Sequence, residues 1–260
     1  MIVTLLGTGT SFGVPQIGCS CRVCCSADPR DRRTRCAAFV QTGGGTHLLI
    51  DTPPELRLQL VAAGIAGADA VLYTHEHADH IHGIDDLRAL SVRRRGALPL
   101  YGSRETLDTI ATRFPYVVDP RMRPLPGTTK PEGTLHPVEA GVAFTIGDAH
   151  VLPLAVPHGR GTVLAYRIGR FGYVTDAKSL SPDVVEALRG VDVLVLNALF
   201  RTPHPTHLSI PEAVAVAQLI GAPRTFFTHL THDHSHAELA AELPVGIAPA
   251  FDGLTLTIDD

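Results

Sequence analysis

Apolar positions along this 260-residue chain follow two alternating patterns. Short runs that are apolar throughout, or apolar at every second position, predict strands over residues 2–6, 47–50, 70–74, 142–146, 150–154, 162–168, 173–175, 191–196, 224–228 and 254–258. Several of these runs lack a polar face, so both of their faces are expected to be buried. Helices are signposted by their ends. Ser181-Pro182 opens a helix over residues 183–189 that Gly190 stops, and Ser209-x-x-Glu212 and Ser235-x-x-Glu238 are capping boxes. Residues 56–63 and 105–112 predict two more helices. Six prolines break any periodicity over residues 114–137, which predicts a long surface loop or lid. Strands alternating with helices place the chain in the α/β (α+β) class.

Composition narrows this picture. A hydrophobic content of 45%, 18% charged residues and a net charge of −4 describe a globular chain with ample core material. Length alone leaves one large domain or two small ones open, so the motifs must decide. No apolar run is long enough to cross a bilayer, and no membrane association is expected. The first six residues lack a basic segment and run directly into Gly7-Thr8-Gly9-Thr10, so they read as a strand rather than an export signal. A cytoplasmic location is the resulting expectation. Four of the five cysteines crowd into residues 19–25. An odd count without an export signal points to metal binding, with a Cys19–Cys24 disulfide as the alternative.

The densest chemistry is the run His75-Glu76-His77-Ala78-Asp79-His80, directly after the strand predicted over residues 70–74. Spacings of two and then one do not share a helix face, but a tight loop can aim such residues in pairs at two neighbouring points. Two cations satisfy the set more easily than one, because a single ion has no room for all four ligands and an open position. A solvated polar loop is the alternative, and the crowding of His75, His77, His80 and His82 argues against it. More distant ligands are expected where a scaffold can hold them, at strand ends. His158, Asp176 and His229 each follow a predicted strand, and His207 precedes the helix capped by Ser209. Taken singly, each also reads as a buried histidine or a capping aspartate. Asp51 reads two ways as well, as a support for the histidine loop or as a cap for the helix beginning near Pro53.

The order His75-x-His77-x-Asp79-His80, then His158, Asp176 and His229, resembles the metallo-β-lactamase superfamily over essentially the whole chain. The resemblance implies a single-domain, four-layer αββα sandwich with two metals at one edge. It implies that His75, His77 and His158 hold one ion and Asp79, His80 and His229 the second, with Asp176 bridging. Gly7-Thr8-Gly9-Thr10-Ser11 and Gly18-Cys19-Ser20-Cys21-x-x-Cys24 further resemble the phosphoribosyl cyclic phosphate phosphodiesterase branch of the carbon–phosphorus lyase pathway. That branch implies a structural zinc held by Cys19, Cys21, Cys24 and His232, tying the 19–24 loop to the C-terminal region. Three thiolates and one imidazole form a closed tetrahedral set that leaves no place for water. The branch also implies that His207 is a non-ligand histidine facing the substrate phosphate. Asn197-Ala198-Leu199-Phe200 departs from the pathway enzyme's pattern. Cys25 is left as a spare thiol and Cys36 as a small core residue.

The chemistry implied is hydrolysis of a small cyclic or nucleotide-like phosphodiester. Two Mn²⁺ or Zn²⁺ ions would acidify water and hold the phosphate oxygens, with His207 and Asp79 as catalytic candidates and His207 protonating the departing alkoxide. A tRNA 3′-processing endoribonuclease, a thioester or other ester hydrolase, and a non-enzymatic metal-dependent module are the alternatives. No segment resembles a tRNA-gripping arm and the net charge is negative, so nucleic acid is not the expected partner. The resemblance makes a homodimer the expected assembly. Arg93–Arg95 and Arg30, Arg32, Arg33 and Arg35 read as solvated surface, and His204, His234 and His236 as bystanders, the last two exposed. Gly7-x-Gly9-x-x-x-Gly13 lacks the dinucleotide-fingerprint spacing and reads as a strand-ending turn.

Overall fold

Fourteen strands divide equally between two sheets in the computed structural model, which describes residues 1–259. The first six in the chain are β1 (Ile2–Gly7), β2 (Ala37–Gln41), β3 (His47–Ile50), β4 (Ala70–Leu72), β5 (Leu98–Gly102) and β6 (Gly133–Pro137). The second sheet holds β7 (Phe144–Ile146), β8 (Ala149–His158), β9 (Gly161–Ile168), β10 (Phe171–Val174), β11 (Val193–Asn197), β12 (Arg224–Thr228) and β13 (Ile247–Pro249). The last strand, β14 (Leu254–Thr257), returns to the edge of the first sheet beside β1. The helices are α1 (Leu56–Ala62), α2 (Ala78–Ile81), α3 (Leu87–Arg94), α4 (Arg104–Arg113), α5 (Pro115–Val118), α6 (Pro182–Leu188), α7 (Ile210–Ile220) and α8 (His236–Glu242).

Side chains alternate across a strand, so each sheet offers two faces to cover. Between the sheets, Val3, Val40, Leu48 and Ile50 pack with Tyr166, Phe171, Tyr173 and Val195. On the outer face of the first sheet, Leu49, Val71 and Leu100 meet Leu56, Leu87 and Ile110. On the outer face of the second, Leu194, Leu196 and Phe227 meet Leu188, Ala213 and Leu239. The four layers are therefore helix, sheet, sheet, helix. Every residue of β11 is buried because both its faces are covered. Strands β3 to β6 run parallel, as do β10 to β13. Their C-terminal ends thus gather at one edge of the sandwich, where loops can converge.

The structure departs from the sequence expectations in definite places. Strands β2, β5 and β13 lie outside the predicted set. Two alanines open β2, and prolines interrupt β5 and β13, so pairing with neighbours overrides weak local preference. Residues 114–137 are not one loop. They begin with α5 and end in the edge strand β6, where a proline is tolerated, and only the stretch between is irregular. The strand predicted over residues 142–146 starts at Phe144.

His234 and His236 are buried, at 2% and 7% exposure, rather than exposed, because the start of α8 docks onto the N-terminal loop. There the His236 backbone N–H donates to Asp31 Oδ1 at 2.6 Å. Arg33 is likewise a core residue, not a surface cation. Its Nη1 donates to Thr8 Oγ1 at 3.0 Å and to the Ala250 carbonyl at 2.6 Å. Among the described residues no helix is long and apolar enough to cross a membrane.

Candidate metal centre and active-site cleft

Beyond β4 the chain turns through Thr74 to His77 and enters α2, which carries Asp79 and His80. The predicted loop is therefore half loop and half one-turn helix. Asp51, at the end of β3, holds it from beneath. Its Oδ1 accepts from the Thr74 backbone N–H and its Oδ2 from the Thr74 hydroxyl, each at 2.8 Å, and Oδ2 also accepts from His80 Nδ1 at 2.7 Å. The helix-capping alternative for Asp51 falls away, because Glu55 occupies the N-cap of α1. Burial pushes the Asp51 carboxyl up, with the His80 imidazole opposing it. For His80, burial pushes down, and Asp176, Asp51 and Asp79 together outweigh it and hold the ring well above its ordinary value.

The remaining residues arrive from the second sheet. His158 is the last residue of β8, and its Nδ1 donates to the Thr206 carbonyl at 3.1 Å. Its ring centroid lies 5.1 Å from that of His77, and His75 Nε2 lies 3.0 Å from His77 Nδ1. Asp176 follows β10 and His229 follows β12. Asp176 Oδ1 is 2.9 Å from His207 Nε2 and 3.2 Å from His229 Nε2, while its Oδ2 is 3.3 Å from His80 Nε2. Burial pushes the Asp176 carboxyl up, but His229 and His80 beside it hold it well below the usual carboxylate range. Burial pushes His229 down to about 4.

Backbone geometry marks the same place. Asp51, Asp176 and His229 have left-handed φ of 63°, 57° and 58°, and only Arg95 shares this among the described non-glycine residues. Such a conformation costs on the order of 1–3 kcal/mol and persists where the surroundings fix it, as at a strand end that must aim one side chain sharply.

Metal-donor atoms group within 4.8 Å as His75, His77 and His158, as Asp79, His80 and His229, and as His75, His80 and Asp176. His80 Nε2 and both ring nitrogens of His229 are buried without a hydrogen-bond partner. Buried polar atoms are rarely left so, and imidazoles beside carboxylates are the donor set of a divalent cation. These residues fit two such ions. His207 also groups with His158 and Asp176, so distance alone does not set it apart from the donors. Its Nδ1 faces the Thr206 hydroxyl at 2.8 Å, which in turn lies 3.2 Å from His204 Nδ1.

A cleft of about 580 Å³ opens over this cluster. Besides the histidines and Asp176, its walls include Ser11, Glu76, Glu105, Arg160, Thr162 and Thr206. Sequence reasoning missed all six of these. Their side chains matter through the direction in which they point, and the local signals are that Ser11 ends the Gly7–Ser11 motif, Glu76 lies inside the histidine run and Thr206 stands beside His207.

The cysteine loop forms a second cluster, none of whose residues lines the cleft. Cys19 and Cys24 Sγ each lie 3.3 Å from His232 Nδ1, and Cys21 Sγ lies 3.6 Å from it. All five cysteines are free thiols, Cys25 exposed and Cys36 buried. The Cys24 backbone N–H lowers the Cys21 thiol to about 6, whereas burial raises Cys24 to about 11. Three sulfurs converging on one imidazole fit a closed zinc site.

A family model described as Beta-lactamase superfamily domain matches residues 46–230. A Porphyromonas gingivalis protein named octanoyltransferase is 41% identical over 261 residues, which cover 98% of this chain and 51% of that protein. The chain thus spans about half the length of that curated relative. Among solved structures, a diphosphatase of the PhnP family is 41% identical with a TM-score of 0.90, over 98% of this chain and 96% of that one. Zn²⁺-bound PqqB from Methylobacterium extorquens shares the fold, with a TM-score of 0.79 at 21% identity over 99% of this chain and 100% of that one. A family match over most of the chain, together with a 41%-identical structure matched over nearly its whole length, means that the chain belongs to the beta-lactamase superfamily, in its PhnP-family branch.

Proposed function

We propose that this protein hydrolyses a small phosphodiester, cyclic or nucleotide-like, at two divalent cations. His75, His77 and His158 would hold one, Asp79, His80 and His229 the other, with Asp176 between them. The observation that carries this reading is the placement of Asp176, whose Oδ1 faces His229 and whose Oδ2 faces His80. One carboxylate turned both ways is what a shared ligand requires. Such ions, Mn²⁺ or Zn²⁺, supply Lewis acidity toward phosphate oxygens and make water a usable nucleophile near neutral pH.

The protein's own groups supply the rest. Asp51 fixes His80 with Nδ1 as donor, which leaves Nε2 for the centre. The Thr206 carbonyl does the same for His158, and the Thr206 hydroxyl steadies His207. His207 lines the cleft, and its imidazole is the group suited to give a proton to the departing oxygen. The cleft volume suits a nucleotide-sized ligand. The net charge of −4 favours a small substrate over a polyanion.

A second reading has one observation behind it, the diphosphatase name of the 41%-identical structure. A P–O–P link presents the same non-bridging oxygens to the cations, and its phosphate leaving group needs protonation less. Cys19, Cys21, Cys24 and His232 would hold a structural zinc, and their free thiols suit a reducing, cytoplasmic setting.

The test is purified protein, stripped and reloaded with Mn²⁺ or Zn²⁺, assayed on cyclic phosphates, linear dinucleotides, diphosphates, tRNA precursors and thioesters. Phosphodiester turnover with little tRNA cleavage is expected. Activity confined to thioesters would overturn the reading.

A further inference from the structure

Arg160 is the one Lys or Arg side chain among the described residues that line the cleft. It occupies the turn of the β8–β9 hairpin, whose last paired residues are His158 and Gly161. Gly159, at φ 57°, makes the two-residue turn possible and leaves the tip uncluttered. The guanidinium has no hydrogen-bond or ion-pair partner among the described residues. Other arginines, such as Arg93 and Arg104, are also unpaired, but none of them lines the cleft; Arg160 is an unpaired guanidinium facing the metal-donor cluster.

Its surroundings say what it lacks. Glu76 and Glu105 share the cleft, and Glu76 is held there by the Thr106 hydroxyl at 3.1 Å. Two carboxylates repel any second anionic group on a substrate, and Arg160 is the side chain able to compensate. Its Cα follows that of His158 by two residues, so the two lie within about 7.6 Å. A phosphorus held beside His158 is then within one arginine length of the guanidinium, whose fork matches phosphate oxygens in pairs.

We propose that Arg160 is a specificity-determining residue that grips a second phosphate on the substrate, beyond the one being cleaved. This rests on the phosphoryl-transfer reading above. The second phosphate is either a monoester at the far end of the molecule or the neighbour in a diphosphate, and the two sources share the same recognition chemistry.

The experiment uses metal-loaded wild type, Arg160→Ala and Arg160→Lys. Kinetics compare thymidine 5′-(p-nitrophenyl phosphate) with its 3′-phosphorylated form. Calorimetry compares thymidine 5′-phosphate, thymidine 3′,5′-bisphosphate and the α,β-methylene analogue of thymidine 5′-diphosphate. Wild type is expected to favour one doubly phosphorylated ligand, and which one identifies the source. Arg160→Ala should lose that preference by roughly 10–100-fold in KM or Kd, the size of a charge-assisted contact, with a much smaller effect on the singly phosphorylated ester and with Arg160→Lys partly restored. Equal losses for singly and doubly phosphorylated ligands in both the kinetic and the calorimetric comparison, or a wild type that prefers neither the bisphosphate nor the diphosphate analogue over thymidine 5′-phosphate, would overturn the proposal. If neither ester is hydrolysed the phosphodiesterase reading fails, and the calorimetry still decides the role of Arg160.

Discussion

His80 Nδ1 lies 2.7 Å from Asp51 Oδ2, inside a pocket where both side chains are fully buried. Two further donors from Thr74 complete the carboxylate's shell. The strand end of β3 thereby sets the tautomer of a histidine that comes from the next strand's loop.

Asp51→Asn should therefore weaken metal binding by roughly 10–100-fold, as supporting residues of metal ligands do. Metal titration with a chromogenic competitor reads this directly, and excess metal should restore much of the turnover. An unchanged affinity would mean that the loop holds its own shape.

Asp176→Ala removes the carboxylate that faces His80, His207 and His229 at once. Turnover should fall by about 1,000-fold or more while the far-ultraviolet dichroism stays that of the wild type. Retention of more than a tenth of the activity would exclude a bridging role.

Cys21→Ala should cost one zinc equivalent by elemental assay and on the order of 3–5 kcal/mol of stability, a Tm lower by about 6–20 °C. Activity measured well below the new Tm should survive. Lost turnover without any change in thermal unfolding would show that the cluster is not structural.

Thr206→Val keeps the carbonyl that receives His158 and deletes the hydroxyl beside His207. On esters with alkoxide leaving groups kcat should drop about 10-fold with KM unchanged, whereas p-nitrophenyl esters should be nearly unaffected, because their leaving group needs little proton assistance. A uniform loss on both kinds of ester would place the effect in the metal centre instead.

Glu238 joins the cysteine loop to α8. The hydrogen bond from Arg22 at 2.7 Å, with the Ser235 N–H, lowers its carboxyl from 4.5 to about 2. A depressed folded value stabilises above the unfolded one, so this contribution is complete above pH 4.5 and fades as pH falls toward 2. The gap in urea midpoint between wild type and Glu238→Gln should be level from about pH 7 to 5 and narrow below it. A gap that widens in acid would reverse the sign of the contact.

What could be read before folding depended on whether the information was local. His75, His77, Asp79, His80, His158, Asp176 and His229 stand directly beyond predicted strands, and parallel strands bring those ends to one edge, so the structure gathers them. Arg160, Glu105 and Thr206 became visible only when the hairpin tip, α4 and the approach to α7 enclosed a cleft. Burial of His236 depends on Asp31, 205 residues away, and no local pattern records such a contact. Strand β2 was hidden for the same reason, since Ala37 and Ala38 carry little strand preference of their own and owe their state to β1 and β3.

The 211 positions separating Cys21 from His232 have a consequence for biosynthesis. At about 5–20 residues per second, the ribosome releases the thiols on the order of 10–40 s before the imidazole that completes their set. A nascent chain thus displays three uncommitted sulfurs long before it can enclose them. Were the four residues to hold the proposed zinc, oxidants or zinc starvation acting in that interval would strike this site in the growing polypeptide before it could close.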